Sequence, residues 1–150
     1  MNTDRDSESL IRRTVEALEQ TGRFHELRRY AQHGGITVYD HCVSVARTAL
    51  RVARRLPGRF DPPSLVRGAL LHDYFLYDWH HHDEKWHGFT HPYEAARNAK
   101  RDFDLTDTEE DIIKSHMWPL TPLTVPKTRE AMLVCIADKI CSLRETLLKR

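Results

Sequence analysis

Residues 61–75, DPPSLVRGALLHDYF, restrict what this chain can fold into more than any other stretch. Asp61 followed by Pro62 signals a helix start, because proline fits the first helical turn. The residues that follow keep helical spacing on two adjacent stripes, Leu65, Ala69 and His72 on one, Val66, Leu70 and Asp73 on the other. A helix apolar on adjacent stripes is buried deeply. The helix therefore carries an imidazole and a carboxylate inward, and burying them unpaired is costly. The fold must supply either a hydrogen-bond network or a metal ion. The dipeptide alone is weak evidence in a chain with 10 histidines, and a decoy, His82-Asp83, sits in the polar run WHHHDEKWH. The apolar helix before His72-Asp73 separates the two.

The rest of the chain reads as helices punctuated by caps. Residues 7–20 form an amphipathic helix with Leu10, Ile11, Val15 and Leu18 inward and Ser7 as a cap. A second helix, 23–32, is expected to end at Gly34-Gly35, with Arg28 and Arg29 on a solvated face. Thr37 caps a helix over 38–55 whose apolar stripe, Val38, Val45, Ala49 and Val52, includes His41. Residues 74–90 show no period and predict a long loop. Thr90 is expected to cap a helix that begins at His91-Pro92 and runs to Phe103. Thr106 with Glu109 makes a capping box for the next helix, which carries Ile112, Ile113 and His116 and stops at Trp118-Pro119. The last helix, 128–148, has the stripe Ala131, Val134, Cys135 and Cys141, and Asp138 lies on it. No strand alternation is present. The expected class is all-α, a compact bundle of six or seven helices forming one domain over residues 1–150.

Composition closes off several functions. The three cysteines, Cys42, Cys135 and Cys141, make no CxxC, which excludes a zinc ribbon and predicts reduced, buried thiols. Net charge is +1, with an acidic middle and basic ends, and no face is basic enough to argue for nucleic acid. No apolar run is long enough for a membrane span, and the polar opening MNTDRDSESL predicts no signal peptide, so a cytoplasmic location is expected.

The inward or loop-held ligand candidates are, in order, His41, His72, Asp73, His91, His116 and Asp138. They come from five helices. Separate buried networks are needed to accommodate them singly, whereas one metal site accommodates all of them. Four imidazoles and two carboxylates suffice for two divalent ions with Asp73 between them.

This ordered pattern resembles the HD-domain superfamily of metal-dependent phosphohydrolases, in its six-ligand form H…HD…H…H…D. The phrases YDHCVSVA, LLHDYFLYDW, HGFTHPYEAA, IIKSHMWPL and ADKI are similar to those of small bacterial HD proteins, over residues 30–145. The resemblance implies an all-α HD fold in which His41, His72, Asp73 and Asp138 hold one ion and Asp73, His91 and His116 the second. The ion identities it allows are Fe, Mn, Co, Ni, Zn or Mg. Many HD hydrolases carry a lysine four residues after the HD aspartate, and here that position is Tyr77. Tyr74-Phe75 replaces the glycine-rich extension of cyclic-dinucleotide enzymes, which argues against that substrate.

The expected activity is a phosphomonoesterase or phosphodiesterase on a small phosphorylated molecule, with nucleotides among the candidates. Asp73 is the expected catalytic carboxylate, and Lys139 supplies a cation toward the phosphoryl group. His87, His33 or the His80–His82 run is expected to protonate the leaving oxygen. Trp118, with Tyr77 and Lys139, is expected to face substrate, and Trp79 and Trp86 are further candidates for the pocket wall. The same ligand set also suits a di-iron oxygenase cleaving a C–C or C–P bond. A non-catalytic, ligand-sensing module is the third reading.

Overall fold

Three of the caps read from the sequence, Thr37, Asp61 and Thr106, decide where helices begin, and the core forms where the apolar stripes meet. The computed structural model describes residues 3–80 and 84–148. Its α-helices are α1 (Thr3–Thr21), α2 (Val38–Arg55), α3 (Pro62–Leu71), α4 (Glu84–Asp102), α5 (Asp107–Ser115) and α6 (Arg129–Leu148). A 3-10 helix, Phe24–Arg29, and a two-stranded hairpin, β1 (Ala31–His33) and β2 (Ile36–Thr37), stand between α1 and α2. The fold is all-α.

Helix α2 starts at a capping box. Thr37 Oγ1 accepts from Asp40 N at 3.1 Å, and Asp40 Oδ2 accepts from Thr37 N at 3.2 Å. The same reciprocal pair, Thr106 with Glu109, opens α5 at 3.1 and 2.9 Å. Asp61 caps α3: its Oδ1 accepts from Ser64 N at 3.5 Å, and its Oδ2 accepts from Ser64 Oγ at 2.8 Å. Helix α2 packs on α3 and α6, α3 on α5, and α5 on α4 and α6. Leu50, Leu65, Leu70, Ile112, Ile113 and Val134 are fully buried between them. Gly68 lets α3 approach α5 closely: a Cβ there would meet Ile112 Cγ2 at 2.9 Å and Ile112 Cβ at 3.0 Å.

Three expectations fail. Helix α1 begins at Thr3, so Ser7 is not a cap but lies within the helix, where its Oγ donates to Thr3 O at 2.9 Å. The helix over 23–32 is a short 3-10 helix, burying Phe24 and Leu27 one turn apart, and then an extended chain from Tyr30 onward. Gly34, at φ 57°, turns the hairpin instead of capping a helix. The third failure is at residues 84–90, expected as loop. They are helical, so His91-Pro92 lies inside α4 and Thr90 is not its cap. A proline in a helix removes one backbone bond and crowds the carbonyl four residues earlier. Two side chains tie down neighbouring carbonyls: Thr90 Oγ1 donates to Trp86 O at 2.9 Å and His91 Nδ1 to His87 O at 2.6 Å. His81, His82 and the decoy aspartate Asp83 lie outside the described residues.

Helix α3 ends at Leu71, with His72 as its C-cap, so Asp73 lies just beyond the helix. The chain that follows is pinned from two sides. Asn98 Nδ2 donates to Tyr74 O at 3.1 Å and to Phe75 O at 2.9 Å. Tyr74 Oη donates to Asp102 Oδ2 at 2.7 Å and accepts from Arg23 N at 2.8 Å. Leu76 takes φ 60°, an uncommon conformation for a branched side chain that its surroundings must hold. No described helix is long and apolar enough to cross a membrane. Cys42, Cys135 and Cys141 are free and buried, as expected.

Candidate metal centre

Each ligand candidate is delivered by a helix end or an inward helix face. His41 stands in the first turn of α2, just after its capping box. His72 and His116 are the C-caps of α3 and α5. His91 projects from α4 and Asp138 from the middle of α6. All six side chains are buried, Asp73 at 3% exposure and Asp138 at 7%. The structure brings together all six residues named from the sequence.

They divide into two groups that share Asp73. His41, His72, Asp73 and Asp138 form one, and Asp73, His91 and His116 the other, each able to converge on a single ion. Asp73 Oδ2 is 3.3 Å from His72 Nε2 and 3.6 Å from His41 Nε2. Asp73 Oδ1 is 3.3 Å from His91 Nε2 and 3.4 Å from His116 Nε2. Asp138 Oδ1 lies 2.9 Å from His41 Nε2 and 3.3 Å from His72 Nε2.

The tautomers follow from the backbone. His72 Nδ1 is 2.6 Å from Ala69 O, His91 Nδ1 2.6 Å from His87 O, and His116 Nδ1 2.7 Å from Ile113 O. A carbonyl only accepts, so each Nδ1 carries the proton and each neutral ring turns an Nε2 lone pair inward. Asp73 Oδ1 is buried and has no hydrogen-bond donor. An orphaned carboxylate oxygen facing imidazole lone pairs is what a cation site looks like before protons or metal are added. The donor set fits divalent metal ions.

The charges respond accordingly. Burial opposes a charged His41, but hydrogen bonds to Asp138 and Glu145 outweigh it and raise its pKa well above the ordinary value. Burial likewise opposes a charged His72, and Asp73 reverses the balance. Burial would raise Asp73 and Asp138, yet the facing imidazoles hold both carboxyls below the usual range. His116, unlike His41 and His72, is lowered, chiefly by burial.

The remaining predicted residues fall around this centre. His87 stacks on His91 with centroids 4.3 Å apart, and Trp79 stacks on the far side of His87 at 4.9 Å. Tyr77 Oη lies 2.8 Å from His87 Nδ1. Burial, then the charge of His91, pushes the His87 pKa down to about 3. His80 stacks on Trp79 at 3.9 Å, and His33 meets Trp79 edge-on at 6.3 Å. Lys139 Nζ donates to His116 O at 3.2 Å and to Cys135 Sγ at 3.1 Å, so its ammonium is tied to the backbone of a ligand residue. Trp118 is half-buried in the turn after α5, where its carbonyl accepts from Cys135 Sγ at 3.1 Å.

One residue the sequence reading passed over is Glu145, whose two oxygens both lie 2.9 Å from His41 Nδ1. Its signal was the stripe of α6: Glu145 follows Asp138 by two helical turns and Cys141 by one.

The sequence profile of the HD domain matches residues 38–143. No curated protein and no solved structure matches the chain. HD domains are typically metal-dependent phosphohydrolases, and the buried His/Asp groups are able to hold metal ions. With the matched residues spanning more than two thirds of the sequence and all six ligand positions gathered at one centre, this chain belongs to the HD-domain family.

Proposed function

We propose that the protein is a phosphohydrolase that cleaves a phosphomonoester or phosphodiester of a small molecule with the help of two divalent ions. The observation that carries this reading is the division of Asp73: one oxygen faces His41 and His72, the other His91 and His116. Two ions so placed supply Lewis-acid polarisation of phosphoryl oxygens and lower the pKa of water.

The chain's own residues do the rest. Backbone carbonyls fix three imidazoles in the ligating tautomer before any ion arrives, so little reorganisation remains. Asp73 sets the spacing of the two groups and orients the attacking water in line with the leaving group. The buried walls exclude bulk solvent, which strengthens each charge interaction inside. Lys139, at the edge of the second group, contributes positive charge toward the phosphoryl oxygens. Tyr77 Oη lies 2.8 Å from His87 Nδ1, and in the tautomer in which the hydroxyl donates, His87 carries its own proton on Nε2. Held neutral by burial, His87 serves the leaving oxygen as a hydrogen-bond donor. Tyr77 and Trp118 complete the substrate side.

The test uses protein stripped with a chelator and reloaded anaerobically with Mn²⁺, Co²⁺ or Mg²⁺, against a panel of phosphomonoesters and phosphodiesters. Metal-dependent phosphate release without O₂ is the expected result. Iron content with substrate-dependent O₂ uptake and no phosphate release would instead identify an oxygenase. Metal binding without turnover of either kind would leave a ligand-sensing role.

A further inference from the structure

Glu145 stands outside both ligand groups, yet it is buried at 7% exposure on the inner stripe of α6. Among the described residues its ion-pair partner is His41 alone, with both oxygens 2.9 Å from Nδ1. A buried carboxylate paired with an imidazole alone among the described residues is costly. An apolar side chain would pack this position at lower cost, so packing does not account for it.

The His41 ring sits between two carboxylates. Glu145 holds Nδ1, and Nε2 faces Asp138 Oδ1 at 2.9 Å and Asp73 Oδ2 at 3.6 Å. A carboxylate only accepts, so in the neutral ring the proton sits on Nδ1 and the Nε2 lone pair points at the ligand oxygens. His72, His91 and His116 reach the same tautomer through backbone carbonyls, which are neutral dipoles. His41 is the one imidazole of the four backed by a full negative charge. That charge makes Nε2 a stronger donor to a cation, as carboxylate–histidine–metal arrangements do generally.

We infer that Glu145 is a positioning residue that acts through His41, and that it makes the His41–His72–Asp73–Asp138 group the tighter of the two ion sites. The inference rests on the metal-binding part of the function proposed above and is independent of the substrate. The two sites are unequal in charge as well as in number of ligands. The first has Asp73 and Asp138 in contact and Glu145 behind, while the second has Asp73 alone. Loading is therefore ordered, with the first site filled at metal concentrations that leave the second empty.

The experiment titrates metal-free protein with Co²⁺ alone, by calorimetry and by the visible absorption of the bound ion. Wild-type protein is expected to take up two ions in two steps. In Glu145→Gln, which keeps the shape and an acceptor oxygen, the tighter step weakens by roughly 10–100-fold. The weaker step is unchanged. In a His41→Ala background the same substitution has no further effect, a coupling that a merely structural role would not produce. Independently of any variant, ¹⁵N resonances of His41 in Zn²⁺-loaded wild-type protein are expected to show the proton on Nδ1. Unchanged Co²⁺ affinity in Glu145→Gln, an equal loss in the His41→Ala background, or a metal-loaded His41 lacking the Nδ1 proton would each overturn the role of Glu145. Failure of the wild-type chain to bind Co²⁺ would remove the two-ion reading itself. Two-step binding without phosphate release would leave Glu145 in place and remove only the hydrolase.

Discussion

His91 Nε2 and His116 Nε2 face each other at 2.9 Å, and in their neutral forms neither can donate to the other. Each ring has its proton on Nδ1, spent on the carbonyl of His87 or Ile113. Two lone pairs meet beside an orphaned oxygen of Asp73. A cation between them converts repulsion into bonding. Metal should therefore stabilise the fold. At free Mn²⁺ or Co²⁺ about 100 times the dissociation constant, the gain is about 2.7 kcal/mol. For a chain of this size that is a rise in Tm of roughly 5–10 °C. Differential scanning calorimetry of chelator-treated protein, with and without added metal, checks it.

Asp73 serves both groups, so its substitution should remove more than one ligand position does elsewhere. Asp73→Asn is expected to cut metal content from two ions per chain to at most one and lower phosphate release by ~10²-fold or more. His116→Ala, by contrast, should leave the first group loaded. Elemental analysis of both variants under metal-replete conditions separates the cases.

The pH dependence of the metal-free protein follows from His41 and Asp138. His41 is raised above its ordinary value near 6.5, so its contribution to stability is complete below that pH and is lost as pH rises through the higher folded value. Asp138 is depressed below 3.8, so its contribution is present above that pH and lost as pH falls through the folded value. His87 and His116, both lowered chiefly by burial, act in the opposite sense and add stability as pH rises through the ordinary value near 6.5, so metal-free protein should gain stability up to that region and weaken in alkali as the His41 contribution is lost. Metal displaces the imidazole protons, so the stabilisation it confers should grow with pH. Melting curves from pH 5 to 9, with and without Co²⁺, test both slopes. A metal-free Tm that still climbs at the alkaline end of this range would contradict the first.

Gly68 sets the separation of α3 and α5. An alanine Cβ there would press on Ile112 near its own backbone, and the helices carry His72 and His116, whose ring centroids are 4.8 Å apart. Gly68→Ala should destabilise by about 1–3 kcal/mol, because overpacking outweighs the gain in helix propensity. Urea unfolding measures it. Co²⁺ affinity at the second group should fall as well, since α5 is displaced relative to Asp73.

Where the sequence was legible, the signal was local. Thr37 with Asp40, Thr106 with Glu109, and Asp61 before Pro62 announce helix starts through bonds within four residues, and all three are present. His41 and Asp138 were readable because a polar residue on an apolar stripe has few places to go. The failures have physical reasons too. Pro92 looked like a helix start because proline usually is one, and the side-chain bonds of Thr90 and His91 that sustain α4 around it have no sequence signature. Gly34-Gly35 fits a helix cap as well as a hairpin turn, and tertiary packing of Phe24 and Leu27 decided between them. Glu145 lies on the Asp138–Cys141 stripe of α6, but its partner is 104 residues away and no local signal names it.

That distance has a consequence for how the centre assembles. His72, His91 and His116 are oriented by carbonyls three or four residues behind them, so their rings are set as soon as each helix turn closes. His41 gains its orientation only when α6 docks against α2, which joins residues 104 positions apart and carries the entropy cost of closing that loop. Three of the four imidazoles are thus prepared by local structure, and the fourth reports that the chain has finished folding.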